Sequence, residues 1–353
     1  MLPIASKTTG LVCDEMRAPT IVPAGAQLTD LARRADGFER CSAQPVVFVD
    51  SVTRTFGTRH ALTDVSICFG RGEIHALLGA NGAGKTTLLR ILSGLLAPST
   101  GNVLVAGMDP RRQSRALRRV VGLVPSGDRS LYLRISGFEN LLFFGRLHGL
   151  PRRAAATRAR ELLALVGLAD AADRRVGIYS HGMRRRLAVA RALLADPRVL
   201  LVDEATHDLD PEGASEVRGL VEASAAAGAT VLWATQRLDE IRGFATRATL
   251  LAAGRVRFVG SVADLLDHAV PRRFVLRLGD AATDESAAAA IAPYGRVGPV
   301  PGASGHVLLV LDRDAILGDA LAALTGARVE VLTCSPERSE LEEAFLSLTR
   351  SVT

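Results

Sequence analysis

The sequence contains few cysteines and no long apolar run. The four cysteines are Cys13, Cys41, Cys68 and Cys334, and no two of them are closely spaced. We therefore expect neither a disulfide framework nor a zinc site, and a reducing compartment fits. No stretch of 18 apolar residues is present, so we expect no helix that crosses a membrane by itself. The first residues lack a charged start followed by an apolar stretch, so we expect no secretory signal.

Lysine is almost absent. Lys7 and Lys85 are the only lysines among 43 basic residues, and arginine therefore carries the formal net charge of +6. A basic surface can meet nucleic acid, phospholipid or an acidic partner, but a general preference for arginine also explains this composition. In such a chain the ammonium group of Lys85 stands out as a candidate functional group.

The length of 353 residues corresponds to about two domains. Residues 1–44 have no sustained periodicity and are expected to form a poorly ordered extension. Residues 45–268 are expected to form a main domain and residues 271–353 a small accessory α+β domain. The 23% of charged and 48% of hydrophobic residues are typical of a globular protein.

Short β-rich segments alternate with longer helical patterns in the main domain. Expected strands are Val46–Val49, Glu73–Leu78, Asn102–Ala106, Arg198–Val202 and Thr230–Ala234. Expected helices are Leu88–Leu96, Ala155–Val166 and Met183–Leu194. This alternation predicts an α/β fold with a mostly parallel sheet and helices on both faces. In the accessory domain we expect strands at Phe274–Leu278, Val307–Leu311 and Val329–Leu332, and helices at Asp314–Leu324 and Glu337–Leu348.

A glycine-rich segment between a predicted strand and a predicted helix has the pattern of a phosphate-binding loop. Its residues are Gly79, Ala80, Asn81, Gly82, Ala83, Gly84, Lys85 and Thr86, which match G-x-x-x-x-G-K-[ST] at every fixed position. The glycines let backbone N–H groups curve around a phosphate, and the helix dipole adds a positive end. Lys85 would neutralise β- and γ-phosphate oxygens, the Thr86 hydroxyl would bind Mg²⁺, and the Thr87 N–H would face the α-phosphate.

Two acidic residues follow a strongly apolar predicted strand. Asp203 and Glu204 come directly after Val199–Val202, at the carboxyl end where open α/β sheets bind ligands. We expect Asp203 to hold the Mg²⁺ shell through water, and Glu204 to orient or deprotonate the attacking water.

Taken in series, these motifs resemble the nucleotide-binding subunits of ATP-binding cassette (ABC) transporters, over about Val46 to Leu266. Ser180 and Gly182, in Tyr179–Met183, resemble the LSGGQ-type signature, and the basic helix that follows is also typical. Asp208-Leu209-Asp210 resembles the D-loop. The resemblance implies a P-loop NTPase core with a mostly parallel sheet, an antiparallel β subdomain and a helical subdomain.

The resemblance also implies roles and partners. Phe56 occupies the position of an aromatic that stacks on adenine. Two cassettes would pair head to tail, so that each ATP lies between the phosphate loop of one and Ser180, Gly182 and Asp210 of the other. ATP binding and hydrolysis would then drive a separate membrane permease. The tail at 340–349 resembles those of bacterial drug- and antibiotic-export cassettes.

Three positions depart from the family pattern. Ser126 stands where a glutamine is usual, Gln236 replaces the switch histidine, and Ala205 replaces a proline after the catalytic glutamate. Gln236 can donate a hydrogen bond to the γ-phosphate but carries no positive charge, and Ser126 reaches Mg²⁺ only through a water. We expect secure ATP binding, and hydrolysis that is slow or dependent on a partner.

The sequence thus predicts an ABC-type ATPase that energises export through separate permease subunits, on the inner face of the cell membrane. Its second cassette makes a homodimer or a heterodimer, and no nucleic-acid partner is expected. Two alternatives remain open: a catalytically weak cassette paired with an active one, and an ABC protein with no role in transport.

Overall fold

A computed structural model describes residues 45–127, 131–207, 209–268, 273–279, 284–300, 305–312, 314–337 and 344. The predicted extension at residues 1–44 lies outside this part of the chain. The described strands are β1 (Val47–Phe56), β2 (Arg59–Phe69), β3 (Ile74–Leu78), β4 (Thr100–Val105), β5 (Val121–Val124), β6 (Val199–Asp203), β7 (Thr230–Thr235), β8 (Arg247–Ala252), β9 (Arg255–Ser261), β10 (Arg273–Leu278), β11 (Gly295–Pro299), β12 (His306–Leu311) and β13 (Val331–Pro336). The described α-helices are α1 (Lys85–Leu92), α2 (Ser114–Leu117), α3 (Gly137–Leu147), α4 (Arg152–Leu165), α5 (His181–Ala192), α6 (Pro211–Ala226), α7 (Val262–His268), α8 (Asp284–Ile291) and α9 (Leu317–Gly326).

A six-stranded sheet forms the centre of the main domain, with strand order β5-β6-β7-β3-β8-β9. The first five strands are parallel and β9 is antiparallel to β8. Every residue of β6 and β7 is buried, as expected for strands covered on both faces. The predicted α/β fold with a mostly parallel sheet is therefore confirmed.

A second, antiparallel sheet has the order β2-β1-β4. Its inward side chains share one apolar core with the buried face of α1, which includes Leu88 and Ile91, and with Leu201 of the central sheet. Helix α1 therefore packs between the two sheets, and its amino-terminal end is held where β3 ends. Sequence analysis identified β1 and β4 in part but missed β2, whose alternating pattern spans both polar and apolar residues.

Helices α3, α4 and α5 make up the helical subdomain, which we define as residues 131–196. Ser136 and Glu139 form a capping box at the start of α3, where each side chain bonds the other residue's backbone N–H. Asn140 is fully buried; its amide accepts from the Tyr132 N–H and donates to the Tyr132 and Ser136 carbonyls. These bonds fix the loop before α3 against the helix.

The residues after 272 form a four-stranded antiparallel sheet with order β11-β12-β10-β13. Its core includes side chains of α8 and α9, and the elements run strand–helix–strand–strand–helix–strand. The expected α+β composition is present. The last strand was predicted at Val329–Leu332 but lies at Val331–Pro336, and the Glu337 N–H continues the ladder by donating to the Arg273 carbonyl.

One expectation needs correction. Cys68 on β2 is disulfide-bonded, although the wide spacing of the cysteines along the sequence gave no reason to expect a disulfide. A helix over Glu337–Leu348 was also expected; Glu337 forms a bend after β13, Ala344 is helical and buried, and the other residues of that span lie outside the described ranges. Among the described helices none is long and apolar enough to cross a bilayer.

Candidate nucleotide site

Four neighbouring strands of the central sheet end at the same edge. Ser126 follows β5, Asp203 and Glu204 end β6, Gln236 follows β7, and the glycine-rich loop follows β3. Since β5, β6, β7 and β3 are parallel and adjacent, their carboxyl ends bring all of these groups together. The structure therefore collects at one edge residues that lie up to 157 positions apart in the sequence.

The glycine-rich loop has a backbone that side chains would obstruct. A Cβ at Gly79 would lie 2.4 Å from the Leu251 carbonyl oxygen, and a Cβ at Gly84 would lie 2.7 Å from that of Ala61. Gly84, with a φ of 111°, is the N-cap of α1 and provides no side-chain capping bond. The first N–H groups of α1 are thus left for an anion, as in phosphate-binding loops.

Lys85 is the first residue of α1 and is only 5% exposed. Its ammonium group donates to the carbonyl oxygens of Gly79, at 2.6 Å, and Ala80, at 3.3 Å. It also lies 3.2 Å from a carboxylate oxygen of Glu204. The lysine is therefore pointed across the loop toward the proposed catalytic carboxylate.

Thr86 and Asp203 form the opposite side of the loop. The Thr86 hydroxyl donates to Asp203 Oδ2 at 2.8 Å, whereas Asp203 Oδ1 is buried with no hydrogen-bond partner among the described residues. Burial raises the pKa of Asp203; the Glu204 charge adds to this, and the Thr86 and Ser126 hydroxyls and Lys85 oppose it. A hydroxyl, an orphaned carboxylate oxygen and nearby Ser126 form the hard oxygen-donor set that Mg²⁺ prefers.

Glu204 has a left-handed backbone, with a φ of 48°. Its N–H donates to the Ala234 carbonyl at 2.9 Å, which extends the β6–β7 ladder by one residue while the chain turns sharply. Such a conformation in a non-glycine residue is uncommon and is often found at functional sites. The turn leaves the Glu204 carboxylate partly exposed beside Lys85, so it can reach a substrate.

Gln236 is half-buried directly after β7, the strand between β6 and β3. No hydrogen bond of its side chain to another described residue is present. The residues around it are more constrained, because the Thr235 hydroxyl donates to Glu240 at 2.6 Å and accepts from the Arg237 N–H. Gln236 therefore projects from a fixed backbone with its amide available to a ligand.

Phe56 lies at the end of the β1–β2 hairpin and is 47% exposed. The guanidinium carbon of Arg54 lies 4.5 Å from its ring centroid, so one face of the ring is covered. Phe56 pairs with Arg59, whose Nη2 lies 4.0 Å from the position that a Cβ at Gly82 would take. This places the ring at the border of the phosphate loop, with one face left for a planar ligand.

The signature-like residues begin helix α5. Ser180 is its N-cap, and the Ser180 hydroxyl accepts from the Met183 N–H at 3.2 Å. A Cβ at Gly182 would meet nothing closer than 3.9 Å, so this end of the helix is open. Asp210 caps α6 by accepting from the Gly213 N–H, and Asp208 lies outside the described residues. Ser180 and Asp210 therefore each stabilise the start of a helix, in addition to any contact with nucleotide.

Two arginines of α5, the buried Arg185 and the half-buried Arg191, were missed by sequence reasoning. Arg185 donates to the Pro125 carbonyl at 3.1 Å, and Arg191 donates to the Leu123 carbonyl at 3.2 Å. Both tie α5 to β5, the strand that precedes Ser126. In an arginine-rich sequence these two look like surface residues, and no local pattern separates them from the other arginines of α5.

The sequence is similar to those of known proteins. Residues 62–207 match the ABC transporter family. The daunorubicin resistance ATP-binding protein DrrA3 of Streptomyces coeruleorubidus is 38% identical over 309 residues, covering 87% of this chain and 96% of that protein. The doxorubicin resistance ATP-binding protein DrrA of Mycobacterium tuberculosis is 35% identical over 317 residues, covering 87% and 94%. The chain belongs to the ABC transporter family. Within it the chain is an ATP-binding, ATP-hydrolysing subunit of the export type.

Solved ABC structures share the fold. A dimeric ATP-binding cassette in a post-hydrolysis state, bound to ADP and Pi, is 25% identical with a TM-score of 0.57, covering 61% of this chain and 98% of that one. The ATP-binding subunit of another ABC transporter is 26% identical with a TM-score of 0.58, covering 63% and 92%. More than a third of this ABC subunit lies outside the regions that align with these two structures.

Proposed function

We propose that this ABC subunit binds Mg-ATP in the loop around Lys85 and hydrolyses it with Glu204, to drive export through a separate permease. The observation that carries the proposal is the juxtaposition of four groups. Lys85 lies 3.2 Å from Glu204, and Thr86 is bonded to Asp203, all at one edge of the sheet.

ATP entry requires an exchange of partners at Lys85. Its ammonium group now donates to two loop carbonyls and contacts Glu204. The β- and γ-phosphates together carry more negative charge than the single Glu204 carboxylate, and the loop carbonyls are neutral, so the phosphates replace these partners and release Glu204. The released carboxylate then orients the attacking water and accepts its proton, and the Gln236 amide donates to the γ-phosphate.

Thr86 and Asp203 are the residues that would hold Mg²⁺, with Ser126 through a water. The metal would neutralise charge on the β- and γ-phosphate oxygens. Its positive charge would also satisfy the buried Asp203 Oδ1 and offset the cost of keeping this carboxylate ionised.

A second cassette is proposed to complete the site. Ser180 and Gly182 open helix α5 and offer its positive end to the γ-phosphate of a nucleotide on the partner. The partner is a second copy of this chain or a related cassette. Hydrolysis removes the bridging phosphate and lets the two cassettes separate.

An exposed aromatic patch on the helical subdomain is proposed as the permease contact. Tyr132 and Phe143 are about half exposed, and their rings meet edge to face at 5.1 Å. The ring of the partly buried Phe144 packs against both, with its centroid 5.8 Å from that of Tyr132 and 5.3 Å from that of Phe143. A cytoplasmic helix of the permease would cover this patch and hold the cassette on the inner face of the membrane.

The names of the relatives guide the proposed cargo. Two are named for resistance to daunorubicin or doxorubicin, and another, from Rhizobium meliloti, for Nod factor export. We propose a bulky amphipathic compound such as an antibiotic as the exported substrate, chosen by the permease.

Replacement of Lys85 tests this function. Lys85→Ala removes the only described ammonium group in the loop, and we expect ATP affinity to fall at least tenfold and ATPase activity to be lost. Equilibrium dialysis with labelled Mg-ATP measures the first, and phosphate release measures the second. ATP retention at the wild-type level would refute the assignment of the site. Arg90→Ala, on the exposed side of the same helix, is the matched control and should bind ATP normally.

A catalytically weak cassette remains the second candidate, because Ser126 and Gln236 replace the usual side chains. Gln236→His distinguishes the two. A rise in turnover means that the glutamine limits hydrolysis and supports a weak cassette with an active partner. A fall in turnover means that Gln236 is an adapted working residue.

A further inference from the structure

The positive charge of this protein is concentrated in the helical subdomain. Residues 131–196 contain twelve arginines but only five aspartates and glutamates, which gives them a net charge of +7. The rest of the chain has a net charge of −1, because the net charge of the whole chain is +6. A general preference for arginine would spread the charge along the chain, so its location calls for a local explanation.

The charge meets exposed apolar surface where α3 turns into α4. We define the α3–α4 corner as Arg146, Leu147, Arg152 and Arg153. Leu147, the last residue of α3, is 71% exposed, the highest value among the large apolar side chains described as exposed. Arg146 Nη1 donates to the Leu150 carbonyl at 2.9 Å, which braces the turn.

The two arginines that begin α4 have no partner within the described part of the protein. Arg152 and Arg153 are exposed, and no hydrogen bond or ion pair joins either side chain to another described residue. By contrast, Arg158 on the same helix pairs with Glu161 and Asp196. Two solvated guanidinium groups thus stand beside an exposed leucine.

The corner continues the aromatic patch. Phe143 lies one helical turn before Leu147 on α3, so both side chains share one face of the helix. A strip of surface therefore runs from Tyr132 through Phe143 to the α3–α4 corner, with arginine increasing toward the corner.

We propose that the α3–α4 corner binds anionic phospholipid at the membrane surface beside the permease. Arginines around an exposed leucine match a layer of phosphate headgroups above acyl chains, since Leu147 gains by leaving water and the guanidinium groups pair with phosphate. Nucleic acid would engage the arginines but give a solvated leucine no apolar environment. The inference rests on the proposed function only for the position of the cassette at a membrane.

Vesicle binding tests the proposal without ATP or permease. The purified full chain is sedimented with sucrose-loaded vesicles of phosphatidylcholine alone, or of equal parts phosphatidylcholine and phosphatidylglycerol. We expect binding to the anionic vesicles only, and loss of that binding at high salt. Arg152→Gln combined with Arg153→Gln should lower the partition coefficient at least tenfold, because each arginine near an anionic surface contributes roughly a fivefold factor.

The matched control removes the same charge elsewhere. Arg118 and Arg119 are also adjacent and exposed, but they follow α2, whose Leu117 belongs to the core around α1. Arg118→Gln combined with Arg119→Gln should reduce binding less than twofold. Leu147→Ser should weaken binding in anionic vesicles and leave the salt dependence unchanged.

Several outcomes would overturn the proposal. One is equal binding of the wild-type protein to both kinds of vesicle. Another is an equal loss of binding in the two double variants, or no loss in the Arg152→Gln, Arg153→Gln variant. The same holds if the corner variant binds vesicles normally but no longer copurifies with the permease, which would make the partner a protein. ATP binding by the same samples is measured by equilibrium dialysis. A corner variant that loses vesicle binding but keeps its ATP affinity shows that this result is independent of the Lys85 test.

Discussion

At the scale of single residues, the contact between Lys85 and Glu204 is the feature with the clearest chemical consequence. In this structure the two groups that we propose to act at the γ-phosphate form an ion pair with each other at 3.2 Å. Glu204 is therefore both the proposed base and a competitor of ATP for Lys85.

Glu204→Gln should separate these two effects. The amide cannot accept the proton of the attacking water, so we expect turnover to fall at least about 100-fold. It also gives up the ion pair with Lys85, so ATP affinity should stay equal or rise. Phosphate release and equilibrium dialysis measure the two effects. Steady ATPase activity in this variant would contradict the role of Glu204.

At the scale of elements, a buried polar triad at the start of β3 joins two strands. His75 is fully buried, with Nδ1 3.1 Å from Glu73 and Nε2 2.8 Å from the Thr249 hydroxyl on β8. Burial lowers the pKa of His75, although Glu73 opposes this. Burial alone would raise the pKa of Glu73, but bonds from His75 and the Gly70 N–H, with the charge of Arg247, lower it overall.

Both shifts make the fold sensitive to acid. Neutral His75 stabilises the protein above the pKa of an unfolded histidine, about 6.5, and this contribution is lost as the pH falls toward the lower folded value. Ionised Glu73 adds a second loss below about pH 4.3. We expect stability to decrease by up to about 1.4 kcal/mol per pH unit as the pH falls from about 6.5 toward the folded pKa of His75. Urea unfolding as a function of pH should show a smaller slope for His75→Asn, and an unchanged slope for His60→Asn on the exposed hairpin.

Asn140 determines the stability of the helical subdomain. Asn140→Ala removes three hydrogen bonds and leaves the Tyr132 backbone unsatisfied, so we expect a loss of about 2–3 kcal/mol in the free energy of unfolding. Asn102→Ala, which breaks one long bond to Asp50, should cost less than about 1 kcal/mol. Similar losses in urea unfolding of the two variants would refute the assigned role.

The elements also show how far sequence reasoning reaches. The phosphate loop and the acidic end of β6 were predictable because both functions need a fixed local order of residues. β2 was not, since a half-exposed strand of an antiparallel sheet mixes polar and apolar residues. Neither were Arg185, Arg191 and the pair of His75 with Thr249, because their partners lie 60 to 174 positions away.

At the scale of the whole molecule, the proposed dimer predicts that α5 can be blocked without harm to the fold. Ser180→Asp keeps a good N-cap but places a carboxylate toward the partner's γ-phosphate. In the Glu204→Gln background, Mg-ATP should produce a dimer in size-exclusion chromatography, and adding Ser180→Asp should abolish it.

The control for this experiment is Ser180→Asn, a neutral residue that also caps helices well. It should retain the dimer, and the two variants should have the same ATP affinity at concentrations at which each is monomeric. A dimer that persists with the aspartate would mean that α5 does not face the nucleotide of a second cassette.

Ala344 gives the accessory sheet a second attachment. It is fully buried in the core built by the central sheet and the helical subdomain, whereas β10 to β13 pack around a core of their own. The polypeptide thus leaves the cassette after α7 and contacts it again at Ala344. The accessory unit is therefore attached to the cassette at two points. A protein shortened after β13 would lose this contact and expose the part of the cassette core that Ala344 covers.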